Sequence, residues 1–329
     1  MKKILITGGT GFIGSHLAEK CVEAGYKVTI FDRYNPNYSL GNLENSKYKN
    51  RINFVFGDIR DFDSVNRVVK KKDVVIHLAA LIGIPYSYIS PSAYIKTNIE
   101  GTYNLLESCK NNKILKTIIT STSEVYGSAK YTPIDEKHPL KPQSPYSASK
   151  ISADNLSLSY YYSFGLPLTI LRPFNNYGPR QSLRAVIPTI INQIIHNKNG
   201  IIELGNINSI RDFLFVEDTC SAYIKCIRKS KFRGEVINLG TGSQVTIKDV
   251  VKIISKILNK KIVVVKSNKR IRPKNSEVDK LCASIKKANS KINWKPKYYG
   301  KKGFERGLIT TVDWYLKFFQ NKFTKKYII

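Results

Sequence analysis

The most constraining feature of the chain is a glycine-rich turn near its start, between an apolar run and an amphipathic segment. Residues 3–7 are predicted to form a buried strand and residues 15–24 a helix, and the glycines between them fall at Gly8, Gly11 and Gly14. Glycines at this spacing let the backbone approach a diphosphate that rests on the N-terminus of the helix. The order of strand, turn and helix therefore predicts the first unit of a fold that binds a dinucleotide.

A second predicted strand, at residues 27–31, ends in Asp32, where a carboxylate can bind the hydroxyl groups of the adenosine ribose. The carboxylate would repel the 2′-phosphate of NADP, so the sequence favours NAD, although the adjacent Arg33 weakens this preference. His77 is predicted to be packed in the core, and Asp58 either contacts the cofactor or caps the next helix. Cofactor-binding residues are predicted at Gly8, Gly11, Phe12, Ile13, Gly14, Asp32, Asp58, Ile59, Leu78, Ala79, Ala80, Asn98, Tyr146 and Lys150.

Apolar runs of strand length alternate with helical patterns over the first half of the chain. This alternation predicts an α/β fold with a doubly wound parallel sheet of the Rossmann type. We expect a cofactor domain at residues 1–176, a segment near residues 212–242 that returns to it, and a smaller mixed α/β substrate-binding lobe at residues 177–329. Further strands are predicted at residues 53–56, 74–78, 114–119, 168–171, near 202 and at 235–239, and further helices at residues 92–110, 146–164, 187–196, 247–258 and 304–318.

A tyrosine and a lysine four residues apart, Tyr146 and Lys150, share one face of the helix predicted there. The ammonium group would favour the phenolate and lower the pKa of Tyr146. A phenolate can then remove a proton from an alcohol while a hydride leaves the same carbon. Thr122, Ser123 and Glu124 follow a predicted strand and would stand at its carboxyl end, where open α/β sheets place ligands. The Tyr-Lys spacing alone is a weak signal in a lysine-rich chain, but the glycine turn strengthens it.

Charge and composition limit the partners of the chain. Its 54 Lys and Arg residues against 24 Asp and Glu residues give a formal net charge of +30. The basic residues are scattered and no nucleic-acid-binding motif is present, so we expect anionic small-molecule ligands rather than nucleic acid. A basic nucleic-acid-binding protein, or an NAD-binding regulator without activity, is the remaining alternative.

Cysteine and histidine usage bears on compartment and metal content. Five cysteines without a C-x-x-C pair predict a reduced, cytoplasmic protein. No apolar run approaches the roughly 20 residues of a membrane span, so no membrane association is expected. The four histidines do not occur at metal-ligand spacing, which argues against a zinc site.

Taken together, the motifs resemble the extended short-chain dehydrogenase/reductase family, and within it the nucleotide-sugar epimerases and dehydratases. T-G-G-T-G-F-I-G, H-L-A-A, the Tyr146–Lys150 pair, R-P-F-N-N-Y-G-P and R-D-F-L-F-V-E-D occur in the order of that family. The resemblance spans nearly the whole chain and is weakest after Asn275. H-L-A-A-L-I-G-I-P-Y-S-Y, T-S-T-S-E-V-Y-G and P-I-D-E-K-H-P-L are most similar to the GDP-N-acetylglucosamine 4,6-dehydratases of legionaminic acid synthesis.

This resemblance implies an NAD-dependent 4,6-dehydratase. Tyr146 would remove the proton of the C4 hydroxyl as hydride passes to NAD, while Thr122 hydrogen-bonds the same oxygen and Lys150 holds the nicotinamide ribose. The resulting 4-keto group acidifies the C5 proton, which Glu124 would abstract. Water then leaves from C6 and the hydride returns to C6.

Ser123 departs from one branch of the family, because dTDP-glucose dehydratases carry an aspartate there as the acid for the leaving hydroxyl. GDP-mannose dehydratases have Ser-Glu and still dehydrate, so Glu124 could move the proton itself. UDP-glucuronate decarboxylases also carry T-S-E-V-Y-G, and in such an enzyme Arg180, Arg184 or Arg211 could hold the sugar carboxylate. A C4 epimerase is the third alternative, but it leaves Glu124 without a role.

Substrate-binding residues and an assembly are also implied by the resemblance. Asn175, Arg211 and Arg272 would contact the diphosphate and nucleoside, since a guanidinium can bind two phosphate oxygens at once. The helices at residues 92–110 and 146–164 would pair with those of a second chain in a four-helix homodimer interface. Substrate-binding residues are expected at Tyr86, Asn175, Arg180, Arg211 and Arg272.

Overall fold

A seven-stranded parallel sheet with flanking helices forms the centre of the computed structural model, which describes residues 1–197, 199–229, 234–270 and 273–318. The predicted α/β Rossmann class is therefore confirmed. The strands are β1 Lys3–Thr7, β2 Lys27–Arg33, β3 Ile52–Gly57, β4 Val74–His77, β5 Lys116–Thr120, β6 Leu168–Pro173, β7 Asn175–Tyr177, β8 Ile201–Leu204, β9 Ile210–Arg211, β10 Phe213–Phe215, β11 Glu235–Leu239, β12 Val245–Thr246 and β13 Val263–Lys266. The helices are α1 Phe12–Glu23, α2 Phe62–Val69, α3 Ile84–Ile89, α4 Pro91–Tyr94, α5 Gly101–Asn111, α6 Pro145–Phe164, α7 Val186–His196, α8 Val216–Arg228, α9 Ile247–Ile257, α10 Lys286–Ile292 and α11 Gly300–Phe318.

The strand order across the sheet is β11, β6, β5, β4, β1, β2 and β3, and each neighbouring pair is parallel. The chain builds outward from β1 in both directions, so the order reverses between β1 and β4. In open parallel sheets, ligands bind in the crevice at the carboxyl ends of the strands beside such a reversal. β11 lies inside the segment at residues 212–242 that was predicted to return to the sheet, whereas the predicted boundary at residue 176 stays a prediction.

The central strand shows why the sheet is stable. Ile4 and Ile6 are fully buried in the hydrophobic cluster on one face, and Leu5 is fully buried in the cluster on the other. This alternation follows from the two-residue period of a strand. Both faces are apolar because both are covered, as is usual for a parallel sheet.

Two helix starts differ from the sequence prediction. α1 begins at Phe12, three residues earlier than expected, because Gly11 in extended conformation serves as its N-cap. The N-cap of α2 is Asp61, whose side chain accepts a hydrogen bond from the backbone N–H of Asp63. The alternative that Asp58 caps this helix is therefore wrong.

The single helix predicted at residues 92–110 is interrupted. α4 is followed by a π-helical turn at Ile95–Glu100 before α5 continues the same path. Asn98 lies in this turn with its side chain buried, and it hydrogen-bonds Leu81 and Ser149. Turns of this kind inside helices are frequent at functional sites.

The second part of the chain packs around its own apolar cluster, to which α7, α9 and α11 contribute. β7 pairs with β10, β9 with β12, and β8 with β13. None of the helices in the described ranges is long and apolar enough to cross a bilayer. Among those residues there is also no group of three or more His, Cys, Asp or Glu side chains that could hold a metal ion.

Candidate active site

The turn after β1 leaves no room for a side chain at Gly8 or Gly14. A Cβ atom on Gly14 would lie 2.3 Å from the carbonyl oxygen of Gly8, and one on Gly8 would lie 2.8 Å from the backbone nitrogen of Ala79. Gly8 also has a φ of +71°, which favours glycine. Gly11 offers no side-chain cap to α1, so the N–H groups of the first turn, including those of Phe12 and Ile13, are open to an anion. This cradle fits the diphosphate of a dinucleotide.

Asp32 lies at the end of β2 beside this turn. Its Oδ2 accepts hydrogen bonds from the backbone nitrogen of Thr10, at 2.9 Å, and from the Thr10 hydroxyl, at 2.6 Å. Its Oδ1 accepts from the backbone nitrogen of Arg33 at 2.8 Å. The carboxylate is thereby fixed next to the glycine turn, where the ribose contact was predicted.

The segment after β4 lines the opposite side of the turn. The backbone nitrogen of Leu78 donates to the carbonyl of Thr7 at 3.1 Å, and that of Ala79 donates to the Thr7 hydroxyl at 3.2 Å. Leu78, Ala79 and Ala80 are half-buried. Small side chains at Ala79 and Ala80 leave room for a flat ligand close to the backbone.

Three predicted cofactor residues are already occupied by protein contacts. The Asp58 carboxylate pairs with Arg60, whose Nε lies 2.9 Å from Oδ1. Ile59 is buried in the core, and its carbonyl accepts from Asn104 at 3.1 Å. Asn98 Nδ2 donates to the Leu81 carbonyl at 2.9 Å and to the Ser149 hydroxyl at 3.0 Å. Asn98 therefore fixes the loop after β4 against α6, and its predicted contact with the cofactor stays a prediction.

Helix α6 and the turn after β5 bring the predicted catalytic residues together. Tyr146 and Lys150 lie on α6 and are 7% and 5% exposed. Thr122 caps a 3₁₀ turn at Ser123–Tyr126, in which the Ser123 and Glu124 side chains are buried. Interaction with the Thr122 side chain lowers the pKa of the Tyr146 phenol and the charge of Glu124 raises it, so both residues lie near that phenol.

The predicted lowering of the Tyr146 pKa is wrong for the protein alone. Burial raises the pKa of Tyr146, the Thr122 hydrogen bond opposes this rise, and the Glu124 charge adds to it. Lys150 Nζ instead donates to the Thr120 carbonyl at 2.6 Å. Burial lowers the pKa of Lys150, while the Asp154 charge raises it. The i, i+4 spacing correctly placed Tyr146 and Lys150 on one face of the helix, but it carries no information on burial, which sets the direction of the Tyr146 pKa shift.

His77 lies beneath this site at the end of β4. Its Nδ1 is 2.8 Å from the Thr7 hydroxyl and its Nε2 is 3.1 Å from the Thr102 hydroxyl. Burial, together with the charge of Lys150, lowers its pKa to about 3. His77 is therefore a neutral, packed core histidine, as the sequence predicted.

Two predicted substrate residues have surroundings that bear on their role. The Tyr86 ring is 6.2 Å from that of Tyr94, which is in turn 6.1 Å from that of Tyr146. Asn175 starts β7, and its Oδ1 is buried without a hydrogen-bond partner among the described residues. An orphaned buried acceptor of this kind is what a bound ligand or water would satisfy.

The predicted arginines differ in their surroundings. Arg211 is buried at the end of β9, where Nη1 donates to the Ile210 carbonyl at 3.0 Å and Nη2 lies 3.8 Å from Glu277. Arg180 forms a two-pronged ion pair with Glu19 of α1, at 2.9 and 3.1 Å. Arg272 lies outside the described residues.

Sequence reasoning missed Tyr94 and Asp154. Tyr94 is almost fully buried against Tyr146, and its hydroxyl donates to the Gly83 carbonyl. Asp154 is fully buried one helical turn after Lys150. The spacing from Tyr146 to Asp154, i and i+8 on one helix, was a signal that could have found the second of these.

Comparisons with known proteins agree with this geometry. A family model described as GDP-mannose 4,6 dehydratase matches residues 5–306. A dTDP-D-glucose 4,6-dehydratase of Dictyostelium discoideum is 38% identical over 274 residues, which are 79% of this chain but only 62% of that protein.

Solved structures match over nearly the whole chain. A UDP-N-acetylglucosamine 4-epimerase from Methanobrevibacter ruminantium M1, in complex with UDP-N-acetylmuramic acid, is 34% identical with a TM-score of 0.84, and the match covers 96% of this chain and 98% of that one. A UDP-glucuronic acid 4-epimerase from Bacillus cereus, in complex with UDP-glucuronic acid and NAD, is 31% identical with a TM-score of 0.87, covering 96% and 100%. The resemblance to the nucleotide-sugar epimerases and dehydratases is thus confirmed, and the chain belongs to the GDP-mannose 4,6-dehydratase family of extended short-chain dehydrogenases/reductases, which are enzymes acting on nucleotide sugars.

Proposed function

We propose that this enzyme is an NAD-dependent nucleotide-sugar 4,6-dehydratase. The observation that carries the proposal is the buried Glu124 carboxylate, whose charge acts on the Tyr146 phenol together with the Thr122 side chain. Oxidation at C4 needs a base for the hydroxyl, and dehydration needs a second base for the C5 proton. A C4 epimerase has no use for the second base.

The cofactor proposal rests on the cradle after β1. The clash that a Cβ on Gly14 would make with Gly8 supports a diphosphate on α1, and Asp32 supports a free ribose 2′-hydroxyl. The Bacillus cereus relative contains NAD. When bound, NAD supplies a hydride acceptor at C4 and later the hydride donor for C6.

The protein residues move the protons of this reaction. Tyr146 takes the C4 hydroxyl proton as a phenolate, which the positive charges of Lys150 and of bound NAD⁺ favour against the effect of burial. Thr122 shares the hydrogen bond to the C4 oxygen, and Lys150 holds the nicotinamide ribose. Glu124 takes the C5 proton and passes it to the C6 hydroxyl, which leaves as water. This double task falls to Glu124 because Ser123 cannot act as an acid. With hydride at C6, C5 takes up a proton from water and Tyr146 releases to water the proton that it took from the C4 hydroxyl, so the net change is the loss of one water.

For the substrate we propose an NDP-N-acetylhexosamine such as GDP-N-acetylglucosamine. The Ser123-Glu124 pair, which the sequence shares with GDP-mannose dehydratases, supports a guanine nucleotide, as does the family model. Arg211 and Asn175 would hold the diphosphate and nucleoside. The relatives include dTDP-glucose dehydratases and UDP-sugar epimerases, so the nucleotide must be tested directly.

Mass spectrometry of the product tests these proposals. The protein is incubated with NAD and, separately, with GDP-N-acetylglucosamine, UDP-N-acetylglucosamine, dTDP-glucose and UDP-glucuronate. We expect a product lighter by one water from the GDP sugar, and Tyr146→Phe should abolish its formation. If no sugar nucleotide loses water, the dehydratase proposal fails.

A C4 epimerase or a UDP-glucuronate decarboxylase is the second candidate, supported by the 0.84 and 0.87 TM-scores to the two 4-epimerases. An epimerase yields an isomer of unchanged mass, whereas a decarboxylase releases carbon dioxide. Glu124→Gln separates these from a dehydratase. In a dehydratase the variant should still reduce NAD, seen by absorbance, but should release no dehydrated product. In an epimerase it should keep most of its activity.

We also propose a homodimer through α5, α6 and their symmetry mates. Tyr103 on α5, and Tyr162 and Phe164 on α6, are large apolar side chains that are exposed in the single chain. Light scattering should give twice the chain mass, and Tyr103→Glu with Tyr162→Glu should give a monomer.

All five cysteines are buried free thiols, which supports a reducing, cytoplasmic setting.

A further inference from the structure

A third buried polar residue shares the face of α6 that carries Tyr146 and Lys150. Asp154 follows Lys150 by four residues, so the three side chains stand one turn apart along the helix. Asp154 is 0% exposed. A carboxylate is almost never buried to this extent unless it is paired.

The contacts of Asp154 join three elements that meet at the active site. Its Oδ2 accepts from the Ser121 hydroxyl at 2.7 Å and from Arg172 Nε at 3.0 Å. Ser121 directly precedes Thr122 at the end of β5, and Arg172 lies at the end of β6. Asp154 Oδ1 is buried without a hydrogen-bond partner in the described part of the chain. One carboxylate oxygen of Asp154 therefore connects α6, which carries Tyr146, to the end of β5, which precedes Thr122. The other oxygen has no hydrogen-bond partner among the described residues.

The charges in this region do not balance without Asp154. Lys150 and Arg172 are both buried, at 5% and 4% exposure. Arg172 is further engaged by Tyr126, whose hydroxyl lies 3.0 Å from Nη1. Removing one partner from a buried charge network leaves the others uncompensated, which is strongly unfavourable. Burial lowers the pKa of Lys150, and the charge of Asp154 opposes this.

We propose that Asp154 is a positioning residue that keeps the Lys150 ammonium charged and holds the Thr122 strand end against the helix of Tyr146. It does not touch the reacting atoms. The contribution of Asp154 to catalysis rests on the proposed function. Its effect on the charge of Lys150 does not, because Lys150 is expected to hold the nicotinamide ribose before any sugar binds.

Other titratable groups face this pair and must be accounted for. Tyr146 lies on the same helix, His77 at the end of β4, and Glu124 in the turn after β5. His77 is neutral above about pH 5, because its pKa is lowered to about 3. Arg172 stays charged across the accessible range. Removing the Asp154 charge favours proton loss from both Lys150 and Tyr146. Burial raises the pKa of Tyr146 well above its ordinary value of 10 and lowers that of Lys150, so at the lower pH it is Lys150 that loses its proton earlier.

The test measures NAD affinity of the full chain by calorimetry from about pH 6 to about pH 10. Affinity should fall as Lys150 loses its proton. In Asp154→Asn the midpoint of this fall should move to lower pH by about one unit or more, since the nearby negative charge is gone. Asp154→Glu should restore the wild-type midpoint. The alkaline limb of kcat should move in the same way.

Asp218→Asn is the matched control, because Asp218 is another buried carboxylate that accepts from the Lys297 and Tyr298 backbone nitrogens, both at 2.8 Å. It should lower stability without moving the midpoint. If Asp154→Asn does not fold, Asp154→Ser removes the same charge with a smaller side chain and should show the same shift. An unchanged midpoint in either variant overturns the proposal. Absence of sugar turnover in the wild type would instead count only against the dehydratase, since the NAD measurement needs no sugar.

Discussion

The cofactor side and the substrate side of this site are built by different means. On the cofactor side, Gly8 and Gly14 let backbone atoms approach so closely that a Cβ would lie 2.8 Å or less from its neighbours. On the proposed substrate side, next to Arg211, the buried carboxylate of Asp212 accepts four hydrogen bonds, which come from Thr241, Gly242 and Ala283. One side is thus shaped within a single short loop, whereas the other depends on side chains that join segments distant in sequence.

Gly14→Ala should have the largest effect on the cofactor side. The added methyl group would lie 2.3 Å from the Gly8 carbonyl and 2.7 Å from the Gly9 Cα, so the turn and the start of α1 must separate. NAD affinity, measured by calorimetry, should fall at least about 100-fold. Gly25→Ala is the control, because Gly25 has a φ of +82° but nothing within 4 Å of a Cβ. It should cost about 1 kcal/mol of stability and leave NAD affinity unchanged. Equal losses in both variants would contradict the idea of a local cradle.

Asp212→Asn should show the opposite pattern. An amide presents two N–H donors to neighbours that are themselves donors, so the free energy of unfolding should fall by about 3 kcal/mol in urea denaturation. The KM for the sugar nucleotide should rise, while NAD affinity should change little. Asp249→Asn is the control, since it only weakens the capping box at Thr246 and should cost about 1 kcal/mol or less. A loss of NAD affinity in Asp212→Asn would show that the two sides are not built independently.

The loss of stability at acidic pH tests whether the buried His77, at the end of β4, is neutral in the folded protein. Burial lowers the pKa of His77 from the ordinary 6.5 to about 3. The unfolded chain therefore binds a proton that the folded chain does not, and stability is lost as pH falls below about 6.5. Between pH 7 and pH 5 this should remove about 2 kcal/mol from the free energy of unfolding. In His77→Gln the difference between the two pH values, measured by urea denaturation, should be smaller by about that amount. An unchanged difference would mean that His77 is already charged in the folded protein.

The same contrast explains what the sequence could predict. Gly8, Gly11 and Gly14 act within one loop, so their spacing was enough to place the cradle, and the carboxyl ends of the strands placed Thr122 and Glu124. Asp154 was missed because its partners, at positions 121 and 172, come from other strands. The local spacing of Tyr146 and Lys150 also predicted the wrong direction for the Tyr146 pKa. Burial sets that direction, and burial depends on packing that no short motif records.

Arg180 lies where the two sides meet, and its substitution should have the smallest effect. The resemblance to the family places it at the substrate, yet its guanidinium pairs with Glu19 of α1, and both side chains are 18% exposed. A partly exposed, two-pronged pair of this kind contributes about 1 kcal/mol. If the pair only clasps the loop after β7 to α1, Arg180→Gln and Glu19→Gln should reduce stability equally and change the KM for the sugar nucleotide by less than about threefold. If Arg180→Gln alone raises the KM for the sugar nucleotide about tenfold or more, Arg180 gives up its ion pair with Glu19 to bind the substrate, and it is then a substrate-binding residue.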